Sequence, residues 1–157
     1  MINAPFTELL LILLAIILVV AAVIDVRTFT ISNRLNAAIA LCAPLYWLSV
    51  SLNPWPDMAV QVAGAIIVFI ILAGAFYAGM MGGGDVKLAA ALALWFPPAG
   101  TVKFLVLMSL AGGILTLFLL ALHRLRKREG RPEIPYGVAI AFGALTILAQ
   151  RFLNQFV

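Results

Sequence analysis

The sequence predicts an all-α membrane protein with about six transmembrane helices, both termini outside and a short fourth helix. Composition is the first reason. Of 157 residues, 65% are apolar and 10% charged, and the mean hydropathy is +1.16. An ordinary globular domain is roughly 45–50% apolar and about 25% charged. So little polar surface cannot coat a soluble core. Length is the second: a spanning helix takes roughly 20 residues, so six spans use nearly the whole chain. That leaves one polytopic domain over 1–157 and no room for a soluble nucleotide-binding unit. The third is the placement of Lys and Arg, taken up below.

The apolar runs cover 4–24, 35–52, 58–80, 86–97, 101–122 and 135–154. The first has no positively charged lead-in, and Glu8 precedes the unbroken stretch Leu9 to Ile24, so it reads as a retained span, not a cleaved signal. Asp25-Val26-Arg27 ends it. Asn53-Pro54-Trp55-Pro56-Asp57 parts the second run from the third, because proline removes an amide donor and blocks helix continuation. Met81-Gly82-Gly83-Gly84-Asp85 follows the third run, and Pro97-Pro98-Ala99-Gly100 follows the fourth. The fourth run is short for a span and is expected to pack against protein near one face. His123 to Glu133, the longest strongly polar stretch, separates the last two runs. Small residues recur four apart in Ala75/Gly79, Ala89/Ala93, Gly137/Ala141 and Ala139/Gly143. Such ridges let helices in lipid approach closely.

Orientation follows from the basic residues. Arg27, Arg34, Lys87, Arg124, Arg126, Lys127, Arg128 and Arg131 fall in the loops after runs 1, 3 and 5, and only Lys103 and Arg151 fall opposite. Cytoplasmic loops carry this excess, so the odd-numbered loops are predicted to face the cytoplasm. Trp47, Trp55 and Trp95 then fall near the outer interface, as an aromatic belt would place them. The formal charge of +4 is accounted for by these loops and calls for no nucleic acid. Cys42 is alone, which excludes an intrachain disulfide and a thiolate zinc site.

Two carboxylates stand out. Asp25 and Asp85 each stand at the cytoplasmic end of an apolar run, at one depth on one side. Ionisable groups at that depth are costly and tend to be functional. A pair of carboxylates can hydrolyse a peptide: one takes a proton from water while its neutral partner donates to the scissile carbonyl. Held close, the two share their protons as a pair. Helix polarity predicts that Asp85, starting a helix, is the ionised member, and that Asp25, ending one, holds the proton. Plainer roles remain open. Asp25 can pair with Arg27 at the interface, and Asp85 can cap the fourth helix or pair with Lys87. The three glycines before Asp85 add weight to chemistry, since they let a peptide backbone come close and let the loop move. They make no phosphate cradle, because no Gly-Lys-Ser/Thr follows.

Gly82-Gly83-Gly84-Asp85-Val86-Lys87-Leu88 resembles the Gly-x-Gly-Asp-Val-Lys-Leu signature of type IV prepilin peptidases, which are membrane aspartyl proteases. Asp25-Val26-Arg27 through Ile31-Ser32-Asn33 is similar to that family's first aspartate motif, and Ile134-Pro135-Tyr136-Gly137-Val138-Ala139-Ile140 to the stretch opening its last helix. The resemblance covers essentially the whole chain. It implies Asp25 and Asp85 as the catalytic pair, with Gly82 and Gly84 shaping the loop and Pro135, Tyr136 and Gly137 lining the substrate cleft. It implies no metal and no cofactor. The substrate it implies is a prepilin or pseudopilin precursor, with a basic leader ahead of a hydrophobic helix, cleaved at the cytoplasmic face of the inner membrane during pilus assembly or secretion. Ser32 stands where the family often has Pro. The cysteine-bearing N-terminal domain of larger members is not in this sequence, so the chain is most similar to the compact peptidases of Tad/Flp pilus systems, with archaeal preflagellin peptidases as relatives. The competing expectations are a Gly-x-Gly-Asp protease for other membrane substrates, or a non-enzymatic subunit of a pilus, secretion or transport machine.

Overall fold

The computed structural model describes residues 4–126 and 133–154. Lys127, Arg128, Glu129 and Arg131 of the basic loop lie outside the described residues. Six α-helices follow in order: α1 (Ala4–Thr28), α2 (Asn33–Ser49), α3 (Ala59–Tyr77), α4 (Gly83–Ala93), α5 (Pro98–Leu125) and α6 (Tyr136–Leu153), with a turn at 54–58 before α3. Among the described residues, four helical stretches are long and apolar enough to cross a bilayer: Pro5–Thr28, Pro54–Tyr77, Pro98–Leu125 and Tyr136–Leu153. α2 has 17 residues and α4 has 11.

The boundaries sit where the local chemistry puts them. α1 runs through Asp25 to Thr28, and Phe29 closes it with a left-handed φ of 51° while its N–H returns to the Asp25 carbonyl at 2.8 Å. Ser32 is the N-cap of α2, its side chain accepting from the Leu35 amide at 3.3 Å. Its φ of −69° is one that proline adopts. Serine therefore fits the place where the resembling family often has proline. α5 begins on Pro98, three residues earlier than the apolar run suggests, because a first-turn amide has no helical partner to lose.

The helices form a ring in the order α1, α2, α4, α3, α5, α6, closing on α1, with α4 and α6 also meeting across it. α4 is the most enclosed: Val86, Leu88, Ala89, Ala91, Leu92 and Ala93 are all buried. As expected for so short a helix, it packs against protein. The small-residue ridges behave differently from one another. Ala89, Ala93, Ala139 and Ala141 are buried, and a Cβ on Gly143 would come within 3.0 Å of the Met108 backbone nitrogen on α5. The Ala75/Gly79 pair makes no such ridge, because Gly79 lies beyond the end of α3 with a φ of 70° and open space around it. Outward, α5 presents Val102, Val106, Leu110, Ile114 and Leu117, an apolar stripe suited to lipid tails.

One end of the ring is locked by aromatic side chains. Trp47 donates to the Leu94 carbonyl at the end of α4 at 2.7 Å, and Trp95 donates to the Ile39 carbonyl of α2 at 3.0 Å. Tyr46 stacks on Trp95 with centroids 5.2 Å apart. Arg151 of α6 lies over the Tyr46 ring and donates to its hydroxyl. This corrects the aromatic-belt expectation for two of three tryptophans. Trp47 and Trp95 are core residues, 7% and 2% exposed, and Trp55 alone of the three is open, at 81%. Their indole N–H groups satisfy carbonyls inside the fold, which a lipid-facing ring could not do. Thr7 near the start of α1 reaches Ser49 at the end of α2 at 2.9 Å. The start of α1 and the end of α6 therefore share this end of the bundle.

Candidate active site

The opposite end of the ring gathers the three glycine- and aspartate-bearing segments. Asp25 stands in the last turn of α1 and is 2% exposed; Asp85 stands in the first turn of α4 and is 8% exposed. The two carboxylates are within electrostatic reach of each other. Asp25 Oδ2 accepts the Gly137 amide at 2.7 Å, across 112 residues of chain. Asp85 Oδ2 accepts the Gly82 amide at 3.2 Å, while its own N–H returns to the Gly82 carbonyl at 3.1 Å. Carboxylate oxygens held by main-chain amides at helix starts are in a favourable field.

Of the plain alternatives for the aspartates, the ion pairs are replaced by other contacts and the helix-start role of Asp85 is kept. Arg27 is exposed on the surface while Asp25 is buried against α6. Asp85 is the third residue of α4 and Gly82 its N-cap, so Asp85 takes part in capping from inside the first turn by accepting the Gly82 amide, while Lys87 turns away to the Asn33 side chain at 2.8 Å. The proton ordering expected from helix polarity also loses its premise. Asp25 does end α1, but its carboxylate faces the start of α6, so both aspartates meet a helix N-terminus.

Ile31 is the piece that joins the segments. A Cβ on Gly137 would fall 2.7 Å from Ile31 Cδ1 and 2.8 Å from Asp25 Oδ2, and a Cβ on Gly84 would fall 2.9 Å from the Ile31 carbonyl oxygen. Only glycine fits either place without moving backbone or carboxylate. Pro135 is buried at the cap of α6. Tyr136 is half-buried, its hydroxyl 3.3 Å from the Thr116 hydroxyl, and it lines a cavity of about 440 Å³ with Met80, Met81 and Gly112. Gly82 is exposed at the rim. Asp25, Gly84, Asp85 and Gly137 thus converge, while Tyr136 turns its ring toward α5. Sequence reasoning passed over Ile31 as a contact and Asn36 altogether. The signal for Asn36 was its amide just inside the apolar run 35–52.

Searches for similar proteins among curated sequences and among solved structures each found no match. A profile of the type IV leader peptidase family matches residues 12–117, which spans both aspartates and the glycine loop. With two thirds of its length matched, the chain belongs to the type IV leader peptidase family.

Proposed function

We propose that the chain is an aspartyl endopeptidase of the cytoplasmic membrane that removes the basic leader from prepilin-like precursors, with Asp25 and Asp85 as its catalytic pair. The observation that carries this reading is the burial of both aspartates at one end of the bundle, each anchored by a glycine amide. One carboxylate in its ionised form takes a proton from water, and the other donates to the carbonyl of the bond being cut. Two like charges held in a dry site favour the singly protonated pair that this step needs. Gly82, exposed at the rim, leaves room for an extended substrate backbone, Gly84 shapes the loop by closing against Ile31, and Pro135, Tyr136 and Gly137 form the facing wall. The odd-numbered loops lie in the cytoplasm and both termini outside. The precursor's hydrophobic helix stays in the bilayer, so its leader meets the enzyme at the membrane surface.

Co-expression with a prepilin-type precursor tests this by a mobility shift. Asp25→Asn and Asp85→Asn each lower cleavage by roughly 10²–10⁴-fold while the protein still accumulates in the membrane. Asp57→Asn, in the turn at the other end where Asp57 accepts from Asn53, leaves cleavage unchanged. Full processing by either of the first two variants removes the pair from the mechanism.

A further inference from the structure

The peptide unit that leads into Asp85 is gripped by a residue with no assigned role. Asn36 of α2 is 5% exposed, and its Nδ2 donates to the Gly84 carbonyl at 3.0 Å across 48 residues of chain. The Gly84 carbonyl and the Asp85 amide belong to one planar peptide group, so holding the oxygen sets the plane on which the Asp85 Cα hangs. On its other side Gly84 is pressed against the Ile31 backbone. The plane is clasped from two directions.

The other half of the Asn36 amide makes this more than packing. Asn36 Oδ1 is shielded from solvent and has no hydrogen-bond partner among the described residues. A buried acceptor left unpaired costs stability, and an apolar side chain of the same shape would not incur that cost. Reversing the amide gives no relief, since it would set Oδ1 against the Gly84 carbonyl oxygen, acceptor against acceptor. With its acceptor half unpaired, the amide is placed by its donor half alone, and that half is aimed at the peptide beside a functional carboxylate, which gives Asn36 a positional task.

We propose that Asn36 is a positioning residue for Asp85: its side-chain amide fixes the Gly84–Asp85 peptide plane and so the direction in which the carboxylate faces Asp25. The inference rests on the aspartate-pair reading and adds to it a determinant outside the three motifs. Asn36→Leu keeps the shape and removes the donor, and Asn36→Ala removes both without crowding.

The test uses purified full-length protein and a prepilin-type precursor, with Asp85→Asn as the inactive reference. In both Asn36 variants kcat falls by about tenfold or more, as for a group displaced by a fraction of an ångström, while KM stays within about twofold. The thermal midpoint of Asn36→Leu is equal to or above that of the parent. The infrared carboxyl band lost in Asp85→Asn shifts in frequency in both variants. An unchanged kcat, or a fall in kcat that only follows loss of folded protein, overturns the proposal. An unmoved Asp85 band overturns it whatever the protein cleaves. A parent protein that leaves the precursor intact defeats the peptidase reading instead, and the infrared band then still decides the role of Asn36.

Discussion

The two ends of the bundle are built from opposite materials. At the Trp95 end, large rings fill the space: Tyr46, Trp47 and Trp95 join α2 to α4, and Arg151 brings in α6. At the aspartate end, the close contacts run through glycine backbones and one isoleucine, and the two carboxylates are bonded by main-chain amides. Aromatic side chains supply much contact at fixed geometry, which suits a clamp. Glycines let segments close to within backbone distance, which here brings Ile31 and the Asp25 carboxylate against α4 and α6. One end is held by large rings and the other by close backbone contact around two buried carboxylates.

If that division is real, mutations at the two ends should be read by different assays. The largest effect is expected at the clamp. Trp95→Ala removes a nearly sealed indole and its bond to Ile39, and should lower stability by about 3–5 kcal/mol. Thermal unfolding in detergent would show the loss, while kcat per folded molecule should hold. A fall in kcat larger than the fall in folded protein would mean that the two ends are coupled.

Next comes Gly137→Ala, the complementary experiment. Its new methyl meets the Asp25 carboxyl and Ile31 at under 3 Å, so Asp25 must shift or give up its 2.7 Å bond. Misplacing a reacting group by about an ångström can cost roughly hundredfold, and cleavage should fall on that order. Gly113→Ala, where nothing lies within 4 Å, serves as the control and should cleave like the parent.

The smallest effect is expected from Tyr46→Phe. The ring stays stacked on Trp95 and only the hydroxyl bonded to Arg151 goes, a change of about 1 kcal/mol. A small drop in thermal midpoint with unaltered cleavage fits the clamp; a large one would make Arg151, not the ring stack, its main fastening.

Much of this arrangement was legible in the sequence. Prolines and glycines mark the breaks between α2 and α3, α3 and α4, and α4 and α5 to within a few residues, because their backbone constraints act locally, whereas the break at 29–32 between α1 and α2 carries neither. Asp25 and Asp85 stood out because a carboxylate in an apolar setting has few structural uses. What could not be read is which apolar residues face protein and which face lipid. Trp47 and Trp95 were placed on a belt because an interfacial ring and a core ring have the same side chain, and only the carbonyl each indole meets tells them apart. Asp25 illustrates the same limit. Its place at the end of α1 was visible, but the α6 amide that receives it comes from 112 residues away, and no local pattern announces such a contact. Asn36 was missed for a related reason: one polar side chain carries no periodicity.

Both aspartates take their closest bonds from main-chain N–H groups, and this has a consequence for how the site tolerates change. Every residue but proline carries the same amide, so no ordinary side-chain replacement at 82 or 137 can delete the donor. What a replacement brings is volume. The site is thus written in missing atoms more than in present ones, and its sequence tolerance is a question of steric vacancy. A library at position 137 should sort by side-chain size with little regard to polarity, a selection rule quite unlike that of an active site assembled from side-chain donors.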